Sequence, residues 1–163
     1  SDKALENLIT YFQNVDDPVE IVFFGDHQPG LCNDFIKLLN GKGNSGLTED
    51  ELENLYTVPF FIWTNYETQA QTIDITSLNY LPTLTLERAN IDLPAYNQFL
   101  ADMMENVPAI NSRGYYSKSN ECFLHTDAAT GDEAKWIKAY NILQYNSMFD
   151  EDNRNSLLFP YLK

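Results

Sequence analysis

The stretch Val19-Glu20-Ile21-Val22-Phe23-Phe24-Gly25-Asp26-His27-Gln28-Pro29-Gly30 decides the fold. Its apolar run from Ile21 to Phe24 has strand length and does not alternate with polar residues. Such a run predicts a strand covered on both faces, of the kind found in parallel sheets. Gly25 breaks the run and lets the backbone turn, and Asp26 to Gly30 then reads as a tight polar loop. In open α/β sheets the carboxyl end of a buried strand borders the crevice where ligands bind. Asp26 and His27 are thereby expected at such a rim.

Working outward, Leu5, Leu8, Ile9 and Phe12 recur at helical spacing behind Asp2, so residues 3–13 read as a helix with Asp2 as its cap. Downstream, Asn33 or Asp34 can cap a short helix that carries Phe35, Ile36, Leu38 and Leu39 and stops at Asn40-Gly41. Thr48 and Glu51 have the spacing of a capping box ahead of Leu52 and Leu55. Val58 to Thr64 is the second strong strand, rich in aromatic and branched side chains, with Pro59 near its start. Residues 65–76 are polar. A helix capped by Thr76 or Ser77 follows, with Pro82 near its beginning, and then one opened by Pro94 whose stripe runs through Tyr96, Phe99, Leu100, Met103, Met104 and Val107. Residues 108–131 read as irregular and surface-lying, and a last helix starts near Asp132 with Trp136, Ile137, Tyr140 and Leu143. The order helix, strand, helix, strand and three helices predicts a layered α/β arrangement, and two strands make only part of a doubly wound sheet. The chain therefore reads as the back end of a larger domain.

The 163 residues are 44% hydrophobic, which suits one compact domain or a large part of one. Ten Lys and Arg stand against 24 Asp and Glu, a formal net charge of -14, so nucleic acid and anionic bilayers are not expected partners through a bare basic patch. Handling of phosphate esters by so acidic a chain would need a local counter-charge, most simply a metal ion. No apolar run approaches the ~20 residues of a membrane span, and no signal-peptide pattern opens the chain. The start at Ser1, without Met and close to a helical pattern, suggests a piece of a longer protein. Cys32 and Cys122 have no metal-type spacing, and one disulfide or two separate thiols are both open readings.

Chemistry concentrates at Asp26-His27. A carboxylate and an imidazole both suit Zn, Mn or Fe, and His is the commonest metal-binding side chain. Two adjacent donors do not complete a catalytic site, which usually takes three or more protein ligands. Asp after Gly is also ordinary turn chemistry, and His27 before a proline turn could be a plain exposed residue. His125, beside Asp127, invites a second-ligand or base role but sits in a polar, irregular stretch with no strand edge to aim it. Cys32 reads as a small buried thiol at a helix start. Trp63, Tyr66 and Tyr80 could line a glycerol or sugar site or pack the sheet, whereas Met103-Met104 belong to an apolar stripe. Glu49, Asp50, Glu51 and Glu53 form a solvated helix end.

The segment Phe23-Phe24-Gly25-Asp26-His27-Gln28-Pro29, followed by Val58-Pro59-Phe60-Phe61-Ile62-Trp63-Thr64-Asn65-Tyr66, resembles the C-terminal half of the lipoteichoic acid synthase and phosphoglycerol transferase group. Ser77-Leu78-Asn79-Tyr80-Leu81-Pro82, Tyr96-Asn97-Gln98-Phe99-Leu100 and Leu143-Gln144-Tyr145 extend the likeness in order over nearly the whole chain. That group belongs to the sulfatase-like branch of the alkaline phosphatase superfamily. The resemblance implies a partial α/β/α sandwich, residues 1–163 forming the C-terminal segment of the catalytic domain. It implies that Asp26 and His27 bind a divalent metal, usually Mn, with Mg or Zn as alternatives. It further implies a threonine nucleophile that takes glycerol phosphate from phosphatidylglycerol and passes it to a cell-envelope polymer of the lipoteichoic acid type. The family's nucleophile, its glutamate ligand and most substrate-recognition residues lie upstream of this stretch, so no catalytic residue is assigned here. Where family members often carry an acidic residue after Gln-Tyr in the last helix, this chain has Asn146. By the same resemblance the intact protein would be held by upstream membrane helices at the extracellular face of a bacterial membrane. This segment would then be soluble and inactive alone, with the upstream half of its own domain as its partner. A sulfatase or phosphodiesterase of the same fold, or an acidic non-enzymatic interaction module, are the competing readings.

Overall fold

A computed structural model describes residues 2–162 of the chain. They divide into two compact units, Ser1–Thr72 and Ile73–Lys163, and the division falls in the polar stretch after the second strand.

The first unit opens with α1 (Asp2–Phe12) and continues through β1 (Glu20–Phe24), α2 (Asn33–Asn40), α3 (Glu49–Asn54) and β2 (Phe60–Thr64). Asp2 lies inside the first turn of α1, where a carboxylate complements the helix dipole, rather than ahead of it as a cap. α2 ends where Gly41 takes the left-handed conformation, φ 76°, and its N–H bonds the Lys37 carbonyl. α3 carries the capping box: the Thr48 hydroxyl accepts the Glu51 N–H while the Glu51 carboxylate accepts the Thr48 N–H. Lys42 reaches the same carboxylate at 2.9 Å, and this contact holds Glu51 below the usual carboxylate range.

β1 and β2 pair antiparallel, with Glu20 opposite Thr64 and Phe24 opposite Phe60. The parallel, fully covered strand suggested by the apolar run is thus corrected. Continuous hydrophobicity reports that both faces of a strand are apolar, and strand direction is a separate matter settled by pairing. Ile21 and Val22 are half-buried, and Phe23 and Phe24 are exposed. Phe23 stacks on Phe61 at 5.2 Å between ring centres. At the far end of the pair Asn65 acts as a clasp. Its amide nitrogen lies within hydrogen-bond reach of the carbonyls of Phe12, Val15 and Asp17, and its oxygen accepts the Val19 N–H.

The second unit contains α4 (Leu81–Arg88), α5 (Ala95–Met104), β3 (Ala109–Ile110), β4 (Gly114–Tyr116), β5 (Cys122–Leu124) and α6 (Gly131–Met148). The expectation of an irregular surface stretch over residues 108–131 is corrected: β3, β4 and β5 form an antiparallel sheet in chain order. Strands of two or three residues are too short to leave a period in the sequence, yet Ile110 and Tyr115 are buried in the core. Gly114 is obligatory there, since a Cβ would lie 2.1 Å from the Phe123 carbonyl oxygen. The core joins Tyr80, Leu100, Met103, Val107, Ile110, Tyr115, Ile137 and Tyr140. Within it the Tyr80 hydroxyl donates to the Val107 carbonyl at 2.8 Å, so the buried phenol is satisfied.

Candidate metal-binding edge

The edge is built where β1 ends. Gly25 extends the ladder by donating its N–H to the Pro59 carbonyl at 3.1 Å. Val58 crowds it so closely that a Cβ at Gly25 would lie 2.8 Å from the Val58 Cβ. Close approach, rather than an unusual dihedral, is therefore what requires glycine at this position. The chain leaves the ladder at Asp26 and turns on its own bonds. The Asp26 Oδ1 accepts the His27 N–H at 2.9 Å, and the Gln28 side-chain amide donates to the Thr57 carbonyl, tying the loop to the lead-in of β2.

Asp26 and His27 come together: the His27 Nε2 stands 3.4 Å from the Asp26 Oδ2, with side chains 76% and 84% exposed for His27 and Asp26, so a solvated ion could reach both. The His27 Nδ1 lies 2.9 Å from the Gln28 carbonyl oxygen. A carbonyl only accepts, so this bond places the proton on Nδ1. In the neutral ring it leaves the Nε2 lone pair free beside the carboxylate. A backbone carbonyl holding the other ring nitrogen is also the usual arrangement behind a metal-ligating histidine.

The donor set fits a divalent cation of the kind the Gly-Asp-His resemblance implies. Metal–donor bonds of about 2.0–2.2 Å at a tetrahedral angle put two ligand atoms roughly 3.4 Å apart, and the observed separation is 3.4 Å. The set is incomplete within the chain: among the described residues no group of three or more His, Cys, Asp and Glu could hold an ion.

The other residues singled out in the sequence have structural places. His125 heads a 3-10 turn over Thr126–Ala128 in the second unit, with an uncommon φ of 69°. Cys32, expected as a buried thiol, is instead exposed just before α2, its carbonyl accepting the N–H groups of Phe35 and Ile36, and no disulfide joins it to Cys122. The Tyr66 hydroxyl donates to Glu20, Trp63 pairs with Ile21 in the ladder, and Tyr80 is fully buried in the second unit's core. Glu49, Asp50 and Glu51 form the acidic first turn of α3, but Glu53, expected at the same solvated helix end, is buried at 5% exposure because it lies on the inward side of the helix. Gln28 and Asn65 are the positioning residues that pattern reading passes over. An amide leaves no periodic mark, and only its location beside a strand end hints at a tie between segments.

The sulfatase family model matches residues 1–91, more than half of the chain and the whole of the Asp26-His27 edge. The chain belongs to the sulfatase family. Its fold is similar to that of the Streptococcus pyogenes phosphoglycerol transferase GacH, solved in complex with sn-glycerol-1-phosphate, at a TM-score of 0.66 and 17% identity. The likeness covers 98% of this chain and 34% of that one, so the chain spans about a third of the length of its structural neighbour. No curated protein matches the chain at a significant level. The partial α/β architecture is accordingly that of a sulfatase-like, alkaline phosphatase-like domain. No helix among the described residues is long and apolar enough to cross a membrane.

Proposed function

We propose that this chain is the C-terminal segment of a metal-dependent phosphoglycerol transferase, one that moves glycerol phosphate from phosphatidylglycerol to a cell-envelope polymer. Asp26 and His27 contribute two ligands to a divalent cation, Mn in the first instance. The remaining ligands and the threonine nucleophile come from sequence outside these 163 residues. The observation that carries the reading is the convergence of one carboxylate and one imidazole on a single exposed point at the end of β1. Gly25 makes the turn that delivers them, Gln28 fixes the imidazole through its carbonyl, and the link from Gln28 to Thr57 holds the loop against β2. A bound cation would neutralise charge on the phosphoryl oxygens and favour the alkoxide of the nucleophile.

The test is made on the parent protein's complete catalytic domain. Metal content and glycerophosphate release from phosphatidylglycerol are measured for the parent, Asp26→Ala and His27→Ala. Loss of one ligand from a small donor set should lower Mn affinity and turnover by at least tenfold in each variant. Unchanged Mn content and turnover in both would overturn the assignment.

The family match favours a second reading, a sulfatase or phosphodiesterase acting on another ester with the same metal edge. The nucleophile separates the two. A threonine supports glycerophosphate transfer, whereas a formylglycine precursor together with sulfate-ester cleavage establishes the sulfatase.

A further inference from the structure

Asp26 and His27 stand in solvent, so polar bonds rather than packing must hold their side chains. The imidazole is held by the Gln28 carbonyl at 2.9 Å, and its aim therefore follows the Gln28 backbone. Two features restrain that backbone. Pro29 biases the residue before it towards extended conformations, which narrows where the Gln28 carbonyl can point. The Gln28 side chain then donates its amide to the Thr57 carbonyl, 29 positions along the chain.

The segment 57–59, between α3 and β2, meets the ligand loop at consecutive residues. The Pro59 carbonyl takes the Gly25 N–H, the Val58 side chain crowds Gly25, and the Thr57 carbonyl takes the Gln28 amide. The start of the segment is fastened in turn to the end of α3. The Thr57 hydroxyl donates to the Glu53 carbonyl at 3.1 Å, and the Tyr56 N–H donates to the same carbonyl at 2.8 Å. Carbonyls in the last turn of a helix lack the usual intrahelical partner, so these bonds satisfy a group the helix leaves open. Glu53 itself is buried, which fixes the anchor point.

We propose that Thr57 is a positioning residue for the metal edge: its hydroxyl fixes the 57–59 segment to α3, and its carbonyl, through Gln28, aims the His27 Nε2. This rests on the reading of Asp26 and His27 as metal ligands. It goes beyond that reading by making α3, which lies outside the ligand loop, the reference against which the imidazole is set. A threonine serves both ends at once. Its main chain reaches the loop while its side chain folds back on the helix. Valine would keep the shape without the second bond, and serine would keep the bond.

The experiment reads the imidazole nitrogen shifts by NMR in the metal-free chain, at a pH where the rings are neutral. In the unsubstituted chain His27 should carry its proton on Nδ1 as the major form. Gln28→Met, of similar length without the donor, and Thr57→Val should both move the ring towards the Nε2–H tautomer, whereas Thr57→Ser should match the unsubstituted chain. His125, the other histidine of the chain, belongs to the second unit and should keep its shifts throughout, an internal control for folding. In the parent protein's complete catalytic domain, Gln28→Met should weaken Mn binding about fivefold and Thr57→Val by less, in keeping with one lost hydrogen bond each. A major Nε2–H form in the unsubstituted chain, tautomers unmoved in Gln28→Met, or Thr57→Val and Thr57→Ser behaving alike would overturn the proposal. Lower thermal stability with unmoved tautomers would mark these bonds as structural ties alone and overturn it equally. The two readings fail separately. Responsive tautomers in a domain that binds no Mn sink the ligand assignment, and Mn binding with unmoved tautomers sinks only the positioning.

Discussion

The two units solve the problem of burial differently. The second encloses a contiguous core in which Tyr80, Met103 and Val107 have no solvent exposure at all. In the first, Ile36 is the buried large apolar side chain, and Leu38, Leu39, Tyr56 and Phe24 remain 80%, 67%, 55% and 46% exposed. Both draw on comparably apolar sequence, so the contrast lies in what the apolar faces meet. A two-stranded sheet offers little surface to cover a helix and is marginal by itself. The unit holding the candidate metal edge is consequently the one whose stability depends most on single polar ties, and the unit without it is held by packing.

The sharpest way to break that contrast is to hollow the packed core. Met103→Ala removes a fully buried side chain and should cost about 2–5 kcal/mol. Thermal or urea unfolding should show the loss in the second unit, followed by the near-ultraviolet signal of Tyr80, Tyr96 and Trp136. A loss confined to the first unit would contradict the division. The same core responds to alkali. Burial pushes the hydroxyls of Tyr80 and Tyr140 up and Tyr96 up to about 12. Because the folded values lie above the unfolded one, this contribution to stability is complete below the ordinary tyrosine range near pH 10 and is lost as pH rises towards 12. Unfolding followed from pH 9 to 12 should show the second unit weakening across that window, and a flat profile would count against burial of these phenols.

In the first unit the largest effect should come from an amide. Asn65→Ala removes a group that reaches the Phe12, Val15 and Asp17 carbonyls and accepts from Val19. Several backbone groups lose a partner while half-buried, so the expected cost is about 2–3 kcal/mol. Hydrogen exchange should accelerate in α1 and at the start of β1 and stay unchanged in α4 and α5. A uniform response through the chain would erase the distinction between units.

How much of this was legible in the sequence follows the same division between pattern and contact. Periodicity locates α1, α2, α5 and α6, and the Thr48–Glu51 spacing locates α3 with its cap, because each feature is local and repeats at a helical interval. The Ile21–Phe24 run marks a strand but cannot report direction, which Phe60 and Thr64 decide from some forty residues away. The β3–β5 sheet stays hidden for a similar reason: its strands of two or three residues are defined by their partners, through pairs such as Tyr115 with Phe123. Asp26 and His27 are legible as a pair because Gly25 and the apolar strand announce a loop. The carbonyl of Gln28 that sets the imidazole proton, and the Thr57 carbonyl that anchors Gln28, become visible only when β2 is in place.

The smallest effects probe the edges of the first unit, and the cap of α3 is the cleanest. Thr48→Ala removes the hydroxyl that accepts the Glu51 N–H, and the helix behind it has only six residues. A lost cap of this type costs about 1 kcal/mol. The Glu51 carboxylate would keep its bonds to the Thr48 N–H and to Lys42, so the loss should be partial. Thr48→Ser keeps an acceptor at the same place and should recover most of it. Helix-end amide exchange at Glu51 reads the difference directly. If Thr48→Ala and Thr48→Ser exchange alike, the cap is not what holds α3, and the first unit depends less on single polar ties than its exposed apolar faces imply.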